Sequence, residues 1–211
     1  MKKIGRFHVI TEANLQDRFS HIELTAMALA GGADTIQFRS KSDATREMID
    51  TASKMKILCK EAGVPLIIND RVDIALAVDA DGVHLGQDDF PIPLARKLLG
   101  PDAIIGGSAD DMEEAQKCLA DGADYIGSGP VYGTNSKSDA GPATGVENIR
   151  KIAGQIALPV IAIGGVTDSN VNELLDAGAY GIAVISAVCF DDDPEAAARK
   201  FQTALNNYGQ K

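Results

Sequence analysis

The chain has 211 residues and a mass of 22.1 kDa, enough for one domain with a substantial buried core. Its formal net charge is −10 and its pI is near 4.7, which argues against a nucleic-acid-binding surface, because such surfaces carry clustered lysine and arginine. The 21 glycines and the low aromatic content of 5% favour tight strand-to-helix turns over an aromatic-rich all-β core.

Short apolar runs with the character of β-strands recur along the whole chain. They lie at residues 7–11, 35–39, 66–69, 82–85, 103–106, 125–128, 160–163 and 181–185. Segments with helical periodicity lie between most of them, at residues 22–30, 45–62, 112–120, 146–156, 169–177 and 194–208. The acidic run at residues 191–193 precedes the last helix, where negative charge suits a helix amino terminus.

This alternation of strand and helix predicts an α/β fold, a single-domain (β/α)8 TIM barrel over residues 1–211. An open doubly wound sheet is the alternative that the same pattern allows. In a barrel the active site lies at the carboxyl ends of the strands, and most of these strands are followed by polar residues. The longest connection without clear periodicity, residues 129–145, is also expected to be functional.

Two observations bear on the environment of the protein. The three cysteines, Cys59, Cys118 and Cys189, are far apart and lack metal-site spacing, which predicts reduced, buried thiols. No segment approaches the ~18 consecutive apolar residues of a membrane span, and the first apolar run is interrupted by Arg6 and His8. We therefore expect a cytoplasmic protein with no membrane and no nucleic-acid partner.

Polar residues at the strand ends indicate a site for an anion and a metal. Gln37, Arg39 and Lys41 alternate along one strand and predict an anion-binding face. Asp70 and Asp89 follow the third and fourth strands, where two carboxylates and substrate phosphate oxygens can hold Mg²⁺. Taken singly, Asp70 could instead cap a helix and Asp89 could stabilise a turn.

Other catalytic patterns are missing from the sequence. It contains no Ser-His-Asp arrangement, no Gly-x-Gly-x-x-Gly after a strand and no Walker-type phosphate loop. His84 lies inside a strand, where a lone histidine is more often a hydrogen-bonded core residue than a catalyst. The glycine pair at Gly164 and Gly165 follows the seventh strand, where barrels often bind phosphate through backbone N–H groups.

Five motifs, in this order and spacing, resemble the thiamine phosphate synthase family. They span nearly the whole chain and are Gln37-Phe38-Arg39-Ser40-Lys41, Asn69-Asp70-Arg71, Gly82-Val83-His84-Leu85-Gly86-Gln87-Asp88-Asp89, Gly127-Ser128-Gly129-Pro130-Val131-Tyr132 with Thr134-Asn135-Ser136-Lys137, and Ala162-Ile163-Gly164-Gly165-Val166. The resemblance implies the same barrel and a Mg²⁺-assisted, dissociative transfer. A hydroxymethylpyrimidine diphosphate and a thiazole phosphate, or its carboxylated tautomer, would give thiamine phosphate and pyrophosphate.

The resemblance also implies a role for each matching residue. The pyrimidine diphosphate would contact Gln37, Arg39, Lys41, Asn69, Ser108 and Lys137, of which Arg39, Lys41, Ser108 and Lys137 are the expected catalytic residues. The thiazole phosphate would contact Thr134, Ser136, Gly165, Ile185 and Ser186, and Asp70 and Asp89 would hold Mg²⁺. The sequence leaves the oligomeric state open, and a homo-oligomer is one of the states that it allows.

This chain departs from the family pattern at two positions. Asp110 stands where a histidine is common, and Ser136 stands where a threonine is common. Serine keeps the hydroxyl, whereas the missing histidine counts against the related thiazole tautomerase, in which it would move protons. That isomerase and a non-catalytic thiamine-phosphate-binding barrel are the two alternatives to the synthase.

Overall fold

Eight parallel strands form a closed barrel in the computed structural model, which describes residues 4–13, 16–134 and 141–209. The strands follow one another around the barrel in chain order, and the last one pairs with the first. They are β1 (Phe7–Thr11), β2 (Thr35–Phe38), β3 (Leu66–Asn69), β4 (Gly82–Leu85), β5 (Ile104–Ser108), β6 (Tyr125–Ser128), β7 (Val160–Ile163) and β8 (Gly181–Val184). The barrel prediction is confirmed, and the open doubly wound sheet is excluded.

Helices connect the strands around the outside of the barrel. Those within the described residues are α1 (His21–Ala30), α2 (Thr45–Ala62), α3 (Val72–Ala77), α4 (Ile92–Leu99), α5 (Met112–Ala120), α6 (Val146–Ala153), α7 (Val171–Asp176), α8 (Ser186–Cys189) and α9 (Pro194–Asn207). Helices α3, α4 and α8 lie outside the predicted helical segments. None of the helices in this described part is both long and apolar enough to cross a lipid bilayer.

Local sequence signals set several helix ends. Ser20 and Glu23 form a reciprocal capping box at the start of α1, and the Asp193 side chain accepts a hydrogen bond from the Ala196 N–H at the start of α9. Gly63 ends α2 in the left-handed conformation, with φ of 69°. The predicted helix start at the acidic run before α9 is therefore confirmed.

The strands carry apolar side chains on both faces, and this divides the core into two layers. The larger layer lies between the strands and the helices and includes Val9, Ile36 and Ile68. The smaller layer fills the barrel interior and includes Ile67 and Ile161. Parallel strands covered on both faces are typical of this architecture. The cysteines Cys59, Cys118 and Cys189 are buried free thiols, as predicted.

Candidate active site

A cavity of about 220 Å³ opens at the carboxyl end of the barrel. Its lower wall is made by inward-facing strand residues, including His8, His84 and Tyr125. Six of the residues that the sequence predicts to contact substrate line it: Gln37, Ser108, Thr134, Gly165, Ile185 and Ser186. The lining of this cavity does not include the other predicted residues at the ends of β2 to β4, which are Arg39, Lys41, Asn69, Asp70 and Asp89.

The three polar residues around β2 occupy different environments, which corrects one detail of the sequence interpretation. Gln37 lies in the strand and faces the cavity, but β2 ends at Phe38, so Arg39 and Lys41 do not share a strand face with it. The backbone leaves the sheet there and turns, with the Asp43 N–H donating to Ser40 Oγ at 3.3 Å. Arg39 is buried, whereas the Lys41 side chain is 51% exposed.

Arg39 forms a buried ion pair that the sequence interpretation did not anticipate. Its Nη1 lies 2.5 Å from Oε2 of Glu12, and the two side chains are only 7% and 3% exposed. A carboxylate beside a buried guanidinium offsets much of its charge and fixes its direction. Glu12 directly follows β1, so the strand-end pattern used for the other strands could have identified it.

Asp70 lies directly after β3, and its side chain contacts Lys41 instead of capping a helix. Its backbone has a positive φ of 62°, and its N–H donates to the His84 carbonyl at 2.8 Å. Helix α3 begins after Arg71, without a side-chain cap. Asp70 Oδ2 instead accepts a hydrogen bond from Lys41 Nζ at 2.6 Å, so the capping alternative is wrong.

Asp89 stabilises a turn, as the sequence allowed, and its role as a metal ligand stays a prediction. Its Oδ2 accepts a hydrogen bond from the Gly86 N–H at 2.7 Å, which closes the turn after β4. The side chain also contacts Asp70. Burial, followed by the contact with this second carboxyl group, raises the pKa of Asp89.

The two aspartates fit a divalent cation. Adjacent carboxylates at neighbouring strand ends repel one another unless a cation lies between or beside them, and here the ammonium group of Lys41 contacts Asp70. No cluster of three or more His, Cys, Asp or Glu side chains suited to a metal occurs in the described part of the chain. Two carboxylates with water and substrate oxygens match the preference of Mg²⁺.

Ser108 is part of a hydrogen-bonded row inside the barrel. Its hydroxyl lies 3.0 Å from Nε2 of His84, and Nδ1 of His84 lies 3.0 Å from the Tyr125 hydroxyl. His84 is therefore a hydrogen-bonded residue of the interior, as expected, but it also lines the cavity. Tyr125 was missed, although strand alternation from the inward-facing Gly127 would have placed it inside the barrel.

The loops after β6 and β7 are joined by backbone hydrogen bonds. The Val131 and Tyr132 N–H groups donate to the carbonyls of Ile163 and Gly164 at 2.9 and 3.0 Å. Gly165 has φ of 66°, and a Cβ there would lie 2.6 Å from the Tyr132 Cβ, so glycine is required for this approach. This contact holds the loop that leads to Thr134. Ser136 and Lys137 lie outside the described residues.

The last strand ends at the cavity. Ile185 is buried and directly follows β8, and Ser186 is the first residue of the short helix α8. Backbone N–H groups in the first turn of a helix have no partner within that helix and favour anions.

Asp110 and Asp111 have separate roles at the end of β5. Asp111 caps α5, because its Oδ1 accepts a hydrogen bond from the Glu114 N–H at 2.9 Å. Asp110 lines the cavity, and its backbone is fixed on both sides: its N–H donates to Glu114 Oε2 at 2.7 Å and its carbonyl accepts from Asn148 Nδ2 at 3.0 Å. A carboxylate therefore stands at this rim where the family often has an imidazole.

Comparisons with known proteins agree with one another. The family model described as thiamine monophosphate synthase matches residues 7–188. A thiamine-phosphate synthase of Salinibacter ruber is 48% identical over 97% of this chain and 90% of its own, and one of Chloroflexus aurantiacus is 46% identical over 95% and 93%. The solved thiamine phosphate pyrophosphorylase of Pyrococcus furiosus superposes with a TM-score of 0.88 at 40% identity, covering 96% of both chains. The chain belongs to the thiamine monophosphate synthase family.

Proposed function

We propose that this chain is a transferase that joins 4-amino-2-methyl-5-hydroxymethylpyrimidine diphosphate to a thiazole phosphate, or its carboxylated tautomer. The products are thiamine phosphate and pyrophosphate, and the carboxylated tautomer additionally releases its carboxyl group as carbon dioxide. One observation carries the proposal: an acidic pair and two cations follow strands β2 to β4 at the barrel mouth, whereas the cavity is lined, apart from Asp110, by residues without formal charge. A diphosphate leaving group needs the charged residues, and an uncharged heterocycle needs the uncharged lining.

The diphosphate belongs at the charged rim in this proposal. Arg39, Lys41 and Lys137 supply positive charge, and Asn69 supplies an amide; Lys137 is assigned from the sequence alone. Arginine can hold two phosphate oxygens at once, whereas lysine acts as a point charge. Asp70 and Asp89 would hold Mg²⁺, which when bound neutralises charge on the departing diphosphate.

The two heterocycles would share the cavity. Gln37 and Ser108 would contact the pyrimidine, and Thr134 and Ser136 the thiazole, with Ser136 again assigned from the sequence alone. Gly165, Ile185 and Ser186 would hold the thiazole phosphate, since the first turn of α8 and the left-handed Gly165 suit backbone N–H contacts to phosphate. This arrangement holds the two reacting partners side by side.

The proposed chemistry needs no nucleophile from the protein. The bond between the pyrimidine methylene carbon and the diphosphate oxygen breaks, the electron-rich ring stabilises the resulting cation, and the thiazole nitrogen lone pair forms the new C–N bond. The thiols support this scheme, because burial raises the pKa of both Cys59 and Cys189 to about 12, and thiols in that state are poor nucleophiles. The residues of the site act by placing charge and orienting substrates.

Further parts of the proposal concern the protein as a whole. Residues 1–211 form one domain, the protein works in the cytoplasm, and its partners are the two small-molecule substrates, with no nucleic-acid or membrane partner. A homo-oligomer is compatible with the same site, because no step requires a residue from a second chain.

The direct test incubates the purified protein with both substrates, with and without Mg²⁺, while thiamine phosphate and pyrophosphate are measured together. We expect equal amounts of the two products, and only with the metal. Conversion between thiazole tautomers without pyrophosphate release would instead identify the isomerase. Tight substrate binding without any product would identify a non-catalytic binding barrel.

Replacement of Asp70 and Asp89 tests whether these two carboxylates account for the dependence of turnover on Mg²⁺. In Asp70→Asn and Asp89→Asn we expect turnover at saturating Mg²⁺ to fall by a factor on the order of 10³, because metal-ion stabilisation of a leaving group is worth several kcal/mol. Asp88→Asn is the matched control, since Asp88 is the exposed neighbour of Asp89. Unchanged metal dependence in both site variants would remove them as ligands.

A further inference from the structure

A row of three hydrogen-bonded side chains, His84, Ser108 and Tyr125, lies along the inner wall of the cavity. We propose that His84 is a positioning residue: Tyr125 holds its ring in one tautomer, and the ring in turn directs the Ser108 hydroxyl as a hydrogen-bond donor into the cavity. This inference rests on the proposed function, in which Ser108 contacts the pyrimidine substrate.

The barrel is built to accommodate this ring. His84 lies opposite Gly106 in the β4–β5 ladder, and Ser108 lies opposite Gly127 in the β5–β6 ladder. A Cβ on Gly106 would lie 2.2 Å from the Tyr125 ring and 2.5 Å from Nδ1 of His84, and one on Gly127 would lie 2.9 Å from Cε1 of His84. Two glycines at inward-facing positions thus leave the space that the imidazole occupies.

The proton positions follow from a count of donors and acceptors. Tyr125 is 1% exposed, and burial raises the pKa of its phenol, so the hydroxyl keeps its proton. Within the described residues, His84 Nδ1 is its only hydrogen-bond partner. A buried O–H group without an acceptor is costly. We therefore assign the Tyr125 hydroxyl as the donor and His84 Nδ1 as the acceptor of this hydrogen bond.

This assignment determines the role of Ser108. With Nδ1 accepting, the proton of the neutral ring resides on Nε2, which donates to Ser108 Oγ at 3.0 Å. In the part of the chain that the structure describes, Ser108 Oγ has no other hydrogen-bond partner, so its own proton can point into the cavity. Such a serine contacts an acceptor, such as a pyrimidine ring nitrogen, and does not accept from the exocyclic amino group.

Nuclear magnetic resonance tests the assignment without any assay of activity. The ¹⁵N shifts of the imidazole nitrogens distinguish protonated from unprotonated positions, and the His84→Gln spectrum identifies the signals of His84 among those of the three histidines. We expect a protonated Nε2 and an unprotonated Nδ1 in the native chain, and a mixture of tautomers in Tyr125→Phe. A protonated Nδ1 in the native chain would overturn the proposal.

A double-mutant cycle tests the consequence for catalysis. We expect Tyr125→Phe to lower kcat by about tenfold, equivalent to about 1.4 kcal/mol, when Ser108 is present, and by less than about twofold in a Ser108→Ala background. Tyr180→Phe is the control, because that hydroxyl donates to the Ile4 carbonyl at 3.3 Å at the opposite end of the barrel. An equal loss in both backgrounds would show that Tyr125 does not act through Ser108.

Two further comparisons complete the test. His84→Gln can present an amide donor near the position of Nε2, so it should retain more activity than His84→Leu, which cannot; equal activities would contradict the positioning role. If the native chain forms no thiamine phosphate, the proposed function fails on that result alone. The same double-mutant cycle is then measured from the affinity for the pyrimidine diphosphate. Coupling between Tyr125 and Ser108 in that affinity would support the positioning role of His84, and its absence would contradict it.

Discussion

The two sides of the barrel mouth differ in the charge of their residues. The charged side, made of Glu12, Arg39, Lys41, Asp70 and Asp89, follows strands β1 to β4. The neutral side, made of Thr134, Gly164, Gly165, Ile185 and Ser186, follows strands β6 to β8. The described residues that line the cavity from β6 to α8 carry no formal charge.

This difference matches the fate of the two phosphate groups in the proposed reaction. The diphosphate departs and gains negative charge at the bridging oxygen, so side-chain cations and a metal stabilise it most in the transition state. In the same proposal the thiazole phosphate stays attached throughout, so backbone N–H groups and a hydroxyl would suffice to hold it. In this proposal a chain with a net charge of −10 binds two anionic substrates because Arg39 and Lys41 place positive charge on the side of the mouth where the leaving group would form.

The largest expected effect concerns the buried pair on the charged side. Glu12→Gln removes the carboxylate charge beside the buried Arg39 guanidinium, so we expect the free energy of unfolding to fall by about 3–5 kcal/mol. Urea denaturation measures this change. Glu147→Gln is the matched control, since Glu147 pairs with Arg150 at the surface and its side chain is 85% exposed, and we expect less than about 0.5 kcal/mol there. Similar losses in both variants would show that burial of the Glu12–Arg39 pair does not increase its contribution to the free energy of unfolding.

The next effect concerns the floor of the cavity, where we expect no charge at neutral pH. Burial lowers the pKa of His8 from 6.5 to about 4. Because the unfolded chain then takes up the proton at higher pH than the folded one, stability should fall as pH drops from 6.5 towards 4, by up to about 3 kcal/mol from this group. His8→Gln should flatten the dependence measured by urea denaturation across that window. His21, whose pKa burial also lowers to about 4, should leave a residual slope.

That expectation has a clear contrary result. If His8→Gln leaves the slope of stability against pH unchanged between 4 and 6.5, then His8 is protonated in the folded state as readily as in the unfolded one. The cavity floor would then carry positive charge in acid, and the contrast between a charged rim and a neutral interior would weaken.

A smaller effect is expected from filling the space around His84. Gly106→Ala forces a Cβ into the Tyr125 ring, which should cost about 1–3 kcal/mol of stability and displace Ser108. Gly133→Ala is the control, because a Cβ at that position meets nothing within 4 Å. A stable Gly106→Ala variant with unchanged kcat would indicate that the interior row is more adaptable than its contacts imply.

The smallest expected effect comes from Lys137, which lies outside the described residues and is assigned from the sequence. Lys137→Ala should lower kcat by about tenfold, because one cation for the leaving group is lost while Arg39 and Lys41 remain. Single-turnover kinetics measures this step. An unaltered kcat would reassign the residue to recognition or to structure and confine the charged side to strands β1 to β4.

The barrel was predictable because its strands and turns are locally specified. Strand β3 and helix α2 have the predicted bounds, since clear apolar runs end there at polar or glycine residues. The end of β2 was placed one residue late, because strand alternation continues through Arg39 in the sequence while the backbone already turns. Helix α4 was missed because Pro91 and Pro93 lie at its start, and closely spaced prolines in a sequence indicate a turn.

The site was predictable only one residue at a time. Strand-end position pointed to Asp70 and Asp89, but their mutual contact and the pairing of Asp70 with Lys41 depend on how neighbouring loops bend. Glu12 and Tyr125 acquire their roles from residues more than 25 positions away in the chain, Arg39 and His84. Partnerships across the barrel of this kind leave no local trace in the sequence.

The division between the two sides is tested most directly by titrating separate ligands against separate variants. Inorganic pyrophosphate with Mg²⁺ and the thiazole phosphate are each titrated calorimetrically into the native chain, Asp89→Asn and Ser186→Ala. We expect Asp89→Asn to weaken pyrophosphate binding by about tenfold or more and leave the thiazole phosphate within about twofold, with the reverse in Ser186→Ala. Equal weakening of both ligands by both variants would contradict the division of the mouth into a charged and a neutral side.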